Sequence, residues 1–428
     1  MYKIKESGIE WAEKIPMDFN IVRMQDIGNY KKGPFGSSIT LNMFVDKGDE
    51  TIKVYEQKNA IYEDAELGSY YITHADFQKL KDFEVCPGDI IVSCAGTIGK
   101  CYVMPEAMER GIINQALMRI TLLPTVNKEY FMYLFGVVLE EMAKVFSNGS
   151  AIKNIPPFSV LKKYKMPVPP FDKQQSIISF LDCKCAEIDA LAADIQAQID
   201  TLEQYKRSIV TEAVTKGINP NAEMKDSGVQ WIGKMPSHWE TIRGKHILQY
   251  LQKPVMEDDG VVTCFRDGEV TLRSNRREDG FTLSEKEIGY QGIDVGDLIV
   301  HGMDGFAGSI GISNSRGKAS PVLNVLDSKQ NKRYLMYYLR SMAYSDVFLA
   351  MATGIRVRSC DLRWNKLSEL FYPVPPIEEQ EAIVRHIDST LKKSDEIIAD
   401  KKKLLEVLSE YKKSVVYEYV TGKKEVAT

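Results

Sequence analysis

The 428-residue sequence predicts a mixed α/β (α+β) protein built as a tandem repeat, with two globular domains each followed by a long helix. Three observations carry that prediction. The two halves of the chain match each other collinearly at both ends, each half closes on a sustained seven-residue apolar spacing, and the two interiors are mixed in character and match poorly.

The repeat comes first. Residues 3–23 match 223–243 without a gap at 7 of 21 positions, among them Ser7/Ser227, Gly8/Gly228, Trp11/Trp231 and Pro16/Pro236. Residues 166–217 match 372–423 at 18 of 52 positions, opening on Pro-Val-Pro-Pro and including Gln174/Gln380, Asp182/Asp388, Tyr205/Tyr411 and Lys206/Lys412. Two ordered matches of this kind mark an internal duplication. The offset drops from 220 to 206, so the second interior is about 14 residues shorter. Within the interiors the match thins to Gly88-Asp-Ile-Ile-Val92 against Gly296-Asp-Leu-Ile-Val300, and Gly96-Thr-Ile-Gly99 against Gly308-Ser-Ile-Gly311. A shared framework around divergent interiors suits one scaffold with two recognition surfaces, although duplication and drift predict it too.

Each interior reads as strands and amphipathic helices. Ile90 to Ser93 and Leu298 to Val300 follow Gly-Asp turns as short buried strands, and Tyr130 to Phe146 and Tyr334 to Met351 read as helices. Pro169-Pro170 stops what precedes it, and Asp172 is placed to cap the next helix. From there Ile188, Ile195, Leu202 and Ile209 recur every seven residues, with Tyr205 beside them. In the second copy Leu391, Ile398 and Leu405 do the same, joined by Tyr411. A helix of about 40 residues is roughly 60 Å long, more than one average domain buries. The stripes therefore predict coiled-coil pairing of the two helices with each other. Two helices lying each on its own domain is the plainer alternative.

Composition narrows the function. The charge is 55 Lys plus Arg against 59 Asp plus Glu, a net −4, which excludes a small, strongly basic nucleic-acid binder. No apolar run approaches the roughly 20 residues a bilayer needs, so no membrane partner is expected. The start lacks the apolar stretch of a signal peptide, and the 7 Cys form no framework, which makes the cytoplasm the expected compartment.

Motifs for chemistry are missing. No Gly-x-x-x-x-Gly-Lys-Ser/Thr cradle and no acid-x-Lys nuclease element occur. Asn154-Ile-Pro-Pro-Phe158 only superficially approaches the element of amino-methyltransferases. Cys183-x-Cys185 stands alone, without the second pair that zinc needs. His301 beside Asp304 reads as an ordinary polar loop pair before it reads as a general base. No catalytic residue, metal site or bound cofactor is expected.

Candidate nucleic-acid contacts come from local charge alone. Residues 20–165 carry 17 basic and 17 acidic groups, and residues 240–371 carry 18 and 17. In the first interior Lys31 and Lys32 precede Gly33-Pro-Phe-Gly-Ser-Ser38, which adds Ser37 and Ser38, and Lys153 lies further on. In the second, Arg273, Arg276 and Arg277 form one group and Arg356 and Arg358 another. Arg suits bidentate contact with guanine edges and phosphates.

Taken together, Ser-Gly-x-x-Trp-x-x-x-x-Pro, Gly-Asp-Ile/Leu-Ile-Val…Gly-x-Ile-Gly and Pro-Val-Pro-Pro-x-x-x-Gln, in the same order twice, resemble the specificity subunit of type I restriction–modification systems. The resemblance covers nearly the whole chain. It implies target recognition domains over 1–170 and 218–376 and conserved helices over 171–217 and 377–428, the helices pairing antiparallel. It implies that each domain reads one half of a bipartite, asymmetric site on double-stranded DNA. Such a subunit is not catalytic. Methylation and cleavage belong to modification subunits, two being expected, and to ATP-dependent restriction subunits, so S-adenosylmethionine, ATP and Mg would be bound by those partners. An orphan coiled-coil adaptor without DNA specificity, or a stand-alone DNA-modifying enzyme, are the rival readings.

Overall fold

The computed structural model describes residues 3–146, 157–276, 287–351 and 362–426. The chain forms two compact units. Unit 1 is Met1–Ala193 with Leu404–Thr428, and unit 2 is Asp194–Lys403. Both boundaries fall inside long helices, Phe171–Lys216 and Ile377–Val420. Each helix therefore gives its first half to one unit and its second half to the other.

The repeated motifs fold into repeated devices. Ser7 Oγ accepts from Ile9 N at 2.8 Å, and Ser227 Oγ from Val229 N at 3.1 Å. The next residues, Gly8 and Gly228, stand at φ +65° and +71°, a region that glycine enters without a Cβ penalty. The glutamine of Pro-Val-Pro-Pro-x-x-x-Gln is a buried clamp. Gln174 accepts at Oε1 from Asn127 N (2.8 Å) and donates from Nε2 to Pro169 O (3.0 Å). Gln380 accepts from Asn331 N (2.9 Å) and donates to Pro375 O (2.9 Å). Asn127 and Asn331 in turn cap the helices Lys128–Phe146 and Lys332–Tyr344 through bonds to Glu129 N (2.9 Å) and Arg333 N (3.0 Å). One glutamine thus ties the start of each long helix to a capped bracing helix. Asp172 does not take the capping position: the helix opens at Phe171, and Lys173 N and Gln174 N donate to Pro170 O. Asp172 sits in the first turn, where a carboxylate faces the positive end of the helix dipole.

The interiors share more structure than sequence. Unit 1 holds an antiparallel sheet in the order Cys101–Val103, Ile90–Ser93, Leu117–Leu122, Gly28–Lys32. Unit 2 repeats it as Ile310–Ile312, Leu298–His301, Leu323–Asp327, Gln249–Tyr250. Gly88 and Gly296, at φ +82° and +88°, make the turn before the central strand. Asp89 and Asp297 lock that turn by accepting from Cys86 N and Asp294 N, both at 2.8 Å. The backbone also corrects the glycine pairing expected from sequence. Ser93 N donates to Lys100 O, and His301 N to Ser309 O. Gly99 and Gly308, both at positive φ, are therefore equivalent, while Gly311 lies inside a strand. The loop after His301 is then one residue longer than the loop after Ser93.

Decoration distinguishes the units. In unit 1, strand Gly111–Ile113 belongs to a five-stranded sheet with Ile52–Tyr55, flanked by the short helices Gln57–Ile61 and His74–Leu80. Unit 2 has instead two ribbons, Val262–Cys264 with Val270–Leu272 and Gln291–Ile293 with Gly317–Ala319. Its bracing helix is shorter than expected. It stops at Tyr344, and Asp346 is left-handed at φ 55° before a short helix, Val347–Ala350.

In both units the long helices run antiparallel. In unit 1 the Phe180 and Tyr419 ring centroids lie 4.2 Å apart and Lys412 pairs with Asp189 at 2.6 Å. In unit 2 Lys206 pairs with Asp395 at 2.5 Å and Lys401 bonds Gln198. These are the same two repeat positions used reciprocally. Beneath them, Tyr130 donates to Val420 O (3.0 Å), and Tyr334 donates to Val214 O (3.0 Å) and Pro373 O (2.9 Å). Each interior is thereby tied to the end of the other copy's helix.

Candidate nucleic-acid interface

In unit 1 the expected Lys-Gly-Pro loop leaves strand Gly28–Lys32 at its open edge. Gly33 is obligatory, because a Cβ would lie 1.9 Å from Asn114 O. Pro34 and Ile39 are buried and pin the loop, while Ser37 and Ser38 are exposed in a single 3₁₀ turn, Gly36–Ser38. Phe35 and Leu41, not singled out from the sequence, stand 86% and 84% exposed. Lys32 is exposed, whereas Lys31 pairs with Asp82 at 3.3 Å and lies over the Phe83 ring. Unit 2 does hold a counterpart. Asn29–Tyr30 and Gln249–Tyr250 occupy the same sheet edge, so four residues on Pro254 matches Pro34, followed by the exposed Val255 and Met256.

The Arg group of unit 2 lines a cleft of about 660 Å³, together with Phe265, Asp267, His301 and Asp304. Arg276 pairs with Asp267 (2.6 Å) and Glu269 (3.2 Å) and lies 4.3 Å from the Phe265 ring centroid. Arg273 donates to Thr263 Oγ1 at 3.3 Å. Across the cleft Arg266 pairs with Asp304 at 3.2 Å. His301 Nδ1 accepts from Asp304 N (2.9 Å) and Met303 N (3.2 Å). That assigns the ring proton to Nε2, so the imidazole is a donor there and not a base. Burial, opposed by Asp304, pushes its pKa down. The reading of His301 and Asp304 as a catalytic pair has no support in this geometry.

Lys153, Arg277, Arg356 and Arg358 lie outside the described residues. Among the described residues no cluster of His, Cys, Asp and Glu is arranged to hold a metal ion. No helix among them is long and apolar enough to cross a membrane.

Along the long helices, Ile188, Ile195 and Ile398 are buried, and Leu202, Ile209, Leu391 and Leu405 are half-buried. Tyr205 and Tyr411 are 47% and 49% exposed, outside the buried seam. Their neighbours Lys206 and Lys412 turn inward to the cross-helix carboxylates, which swings the tyrosines out. Leu191, Ile397 and Leu404 are exposed to a similar degree.

Comparison with known proteins matches this architecture. Residues 16–201 fit the family model described as type I restriction modification DNA specificity domain. Over 99% of the chain and 98% of the relative, it is 24% identical to a putative type I restriction enzyme MjaX specificity subunit of Methanocaldococcus jannaschii. Along nearly its whole length the chain is similar to type I restriction enzyme specificity subunits. A second relative from the same organism, the MjaVIII specificity subunit, is 22% identical over 96% of the chain and 94% of its own length. The same architecture occurs in a chain from a solved structure concerned with complex assembly and conformational transition of the type I R-M system. That chain aligns over 96% of this one and 99% of its own length with a TM-score of 0.64, and at 13% identity the likeness speaks to fold. The Ser-Gly, Gly-Asp and Pro-Pro-x-x-x-Gln motifs hold the backbone in both units, and the cleft around His301 belongs to unit 2.

Proposed function

We propose that this chain is the sequence-specific DNA-binding subunit of a type I restriction–modification complex, with each unit reading one half of a bipartite, asymmetric site. The observation that carries this reading is one scaffold built twice around different decorations, which is what a reader of two unlike half-sites requires. The long helices serve as spacer and as the docking platform for modification subunits, two of them by the two-fold repetition of the helix pair, and restriction subunits join through that assembly. The exposed side chains of the long helices, Leu191, Leu404 and Tyr411 in unit 1 and Tyr205 and Ile397 in unit 2, are the parts offered to those partners. The subunit is non-catalytic. S-adenosylmethionine, ATP and Mg are bound by the partners, and the complex works in the cytoplasm. Near-neutral interiors agree with phosphate contacts being shared with partners.

A chimera tests this. Replacing residues 1–167 with the first domain of another family member, joined at Pro167–Pro170, is expected to change one half of the methylated motif and leave the other intact. Genome-wide methylation mapping of the co-expressed complex reads the outcome. Both halves changing together, or a wild-type complex with no motif at all, rejects the reading.

A further inference from the structure

The cleft around His301 has a one-sided chemistry. Asp304 is paired with Arg266, and Asp267 and Glu269 are paired with Arg276, so its acceptors are engaged. His301 Nε2 carries a proton by the tautomer argument, and its nearest charged neighbour, Asp304 Oδ2, is 4.0 Å away, beyond hydrogen-bond reach. Among the described residues Nε2 has no hydrogen-bond partner. An uncommitted group facing the cleft is thus a ring N–H donor, held in a fixed orientation by two backbone N–H groups at Nδ1.

The equivalent position in unit 1 is closed. Ser93 is fully buried and spends its hydroxyl within its own turn, donating to Thr97 O and accepting from Lys100 N. Gln57, on a short helix, reaches over that turn to Ala95 O. In unit 2 the strand Val262–Cys264 lines the cleft beside His301.

We propose that the unit 2 cleft receives a hydrogen-bond acceptor of the DNA half-site, and that His301 donates to it from Nε2. The inference rests on the DNA-reading function above. Two sources of acceptor share this chemistry, the N7 of a purine and a backbone phosphate oxygen.

Two substitutions separate the ring's two nitrogens. In His301→Asn the amide oxygen replaces Nδ1 as acceptor for the Met303 and Asp304 N–H groups while the Nε2 donor is withdrawn. In His301→Gln the longer amide returns a donor near the Nε2 position. With the complete complex of full chain and modification subunits, H301N is expected to bind its cognate duplex about tenfold more weakly, the scale of one base or phosphate contact, at an unchanged melting temperature. H301Q is expected to recover most of that loss. Cognate duplexes carrying single 7-deazapurines or single methylphosphonates then identify the source, since only the one that removes the true acceptor leaves wild type and H301N equal. Wild-type affinity and an unrelaxed motif in H301N would overturn the inference while leaving the DNA-reading function intact. A wild-type complex without sequence preference overturns both.

Discussion

Unit 1 and unit 2 are built on the same sheet, the same glutamine clamp and the same tyrosine tie, yet they are assembled from the chain differently. Unit 2 is one continuous stretch, Asp194–Lys403, whereas unit 1 is completed by Leu404–Thr428 from the far end of the sequence. The comparison teaches that the repeat in the sequence and the unit in space are not the same object. Each spatial unit takes its closing helix half from the other copy.

The largest effect should follow from breaking that exchange. Ending the chain after Lys403 removes Val415 and Val420, both buried in the unit 1 core, the Tyr130 acceptor and the Lys412–Asp189 pair. Each buried valine contributes roughly 1.5–3 kcal/mol against a total domain stability of roughly 5–15 kcal/mol. Hydrogen exchange is expected to show unit 1 amides losing protection while unit 2 amides stay protected. Equal loss in both would show that the units do not fold as separate bodies.

A smaller effect comes from the tyrosine ties. Tyr334→Phe strands two buried carbonyls and Tyr130→Phe strands one. The costs should be about 1–3 kcal/mol and about 1 kcal/mol respectively, read as the difference in urea midpoint. A larger loss from Y130F would mean the two ties are not equivalent.

The smallest effect is an acid response at the Lys253, Arg316, Asp294 and Asp259 cluster of unit 2. Lys253, then Arg316, hold Asp294 below the usual carboxylate range, and Arg316 does the same to Asp259. A depressed folded-state pKa gives stability that is complete above the unfolded value, about 3.9, and is lost as pH falls through the folded one. Lowering the pH below about 4 should loosen the turns around Asp259 and Asp294, and Asp294→Asn should flatten that part of the response. NMR titration of these amides checks it.

Much of the framework was legible because its signals are local. Seven-residue spacing, paired prolines and Gly-Asp turns each have one cheap backbone solution. The shared sheet was hidden because a strand buried between other elements asks only for apolar residues, so Ile90-Ile-Val and Leu298-Ile-Val survive while Leu117–Leu122 and Leu323–Asp327 share almost no identity. The glycine register slipped because Gly-Thr-Ile-Gly and Gly-Ser-Ile-Gly look alike, and only the bonds to Lys100 O and Ser309 O tell which glycine turns the chain. The cleft was out of reach altogether. His301 gains its meaning from backbone donors at Nδ1 and from the residues that line the cleft with it, and neither leaves a mark at its own position.

The exchange of helix halves also sets an order of synthesis. A chain emerging from the ribosome has every residue of unit 2 available once Lys403 is out, but the core of unit 1 still lacks Val415 and Val420. The domain that comes second in the sequence is thus free to fold first, and the earliest residues made must keep their apolar surface waiting for the latest.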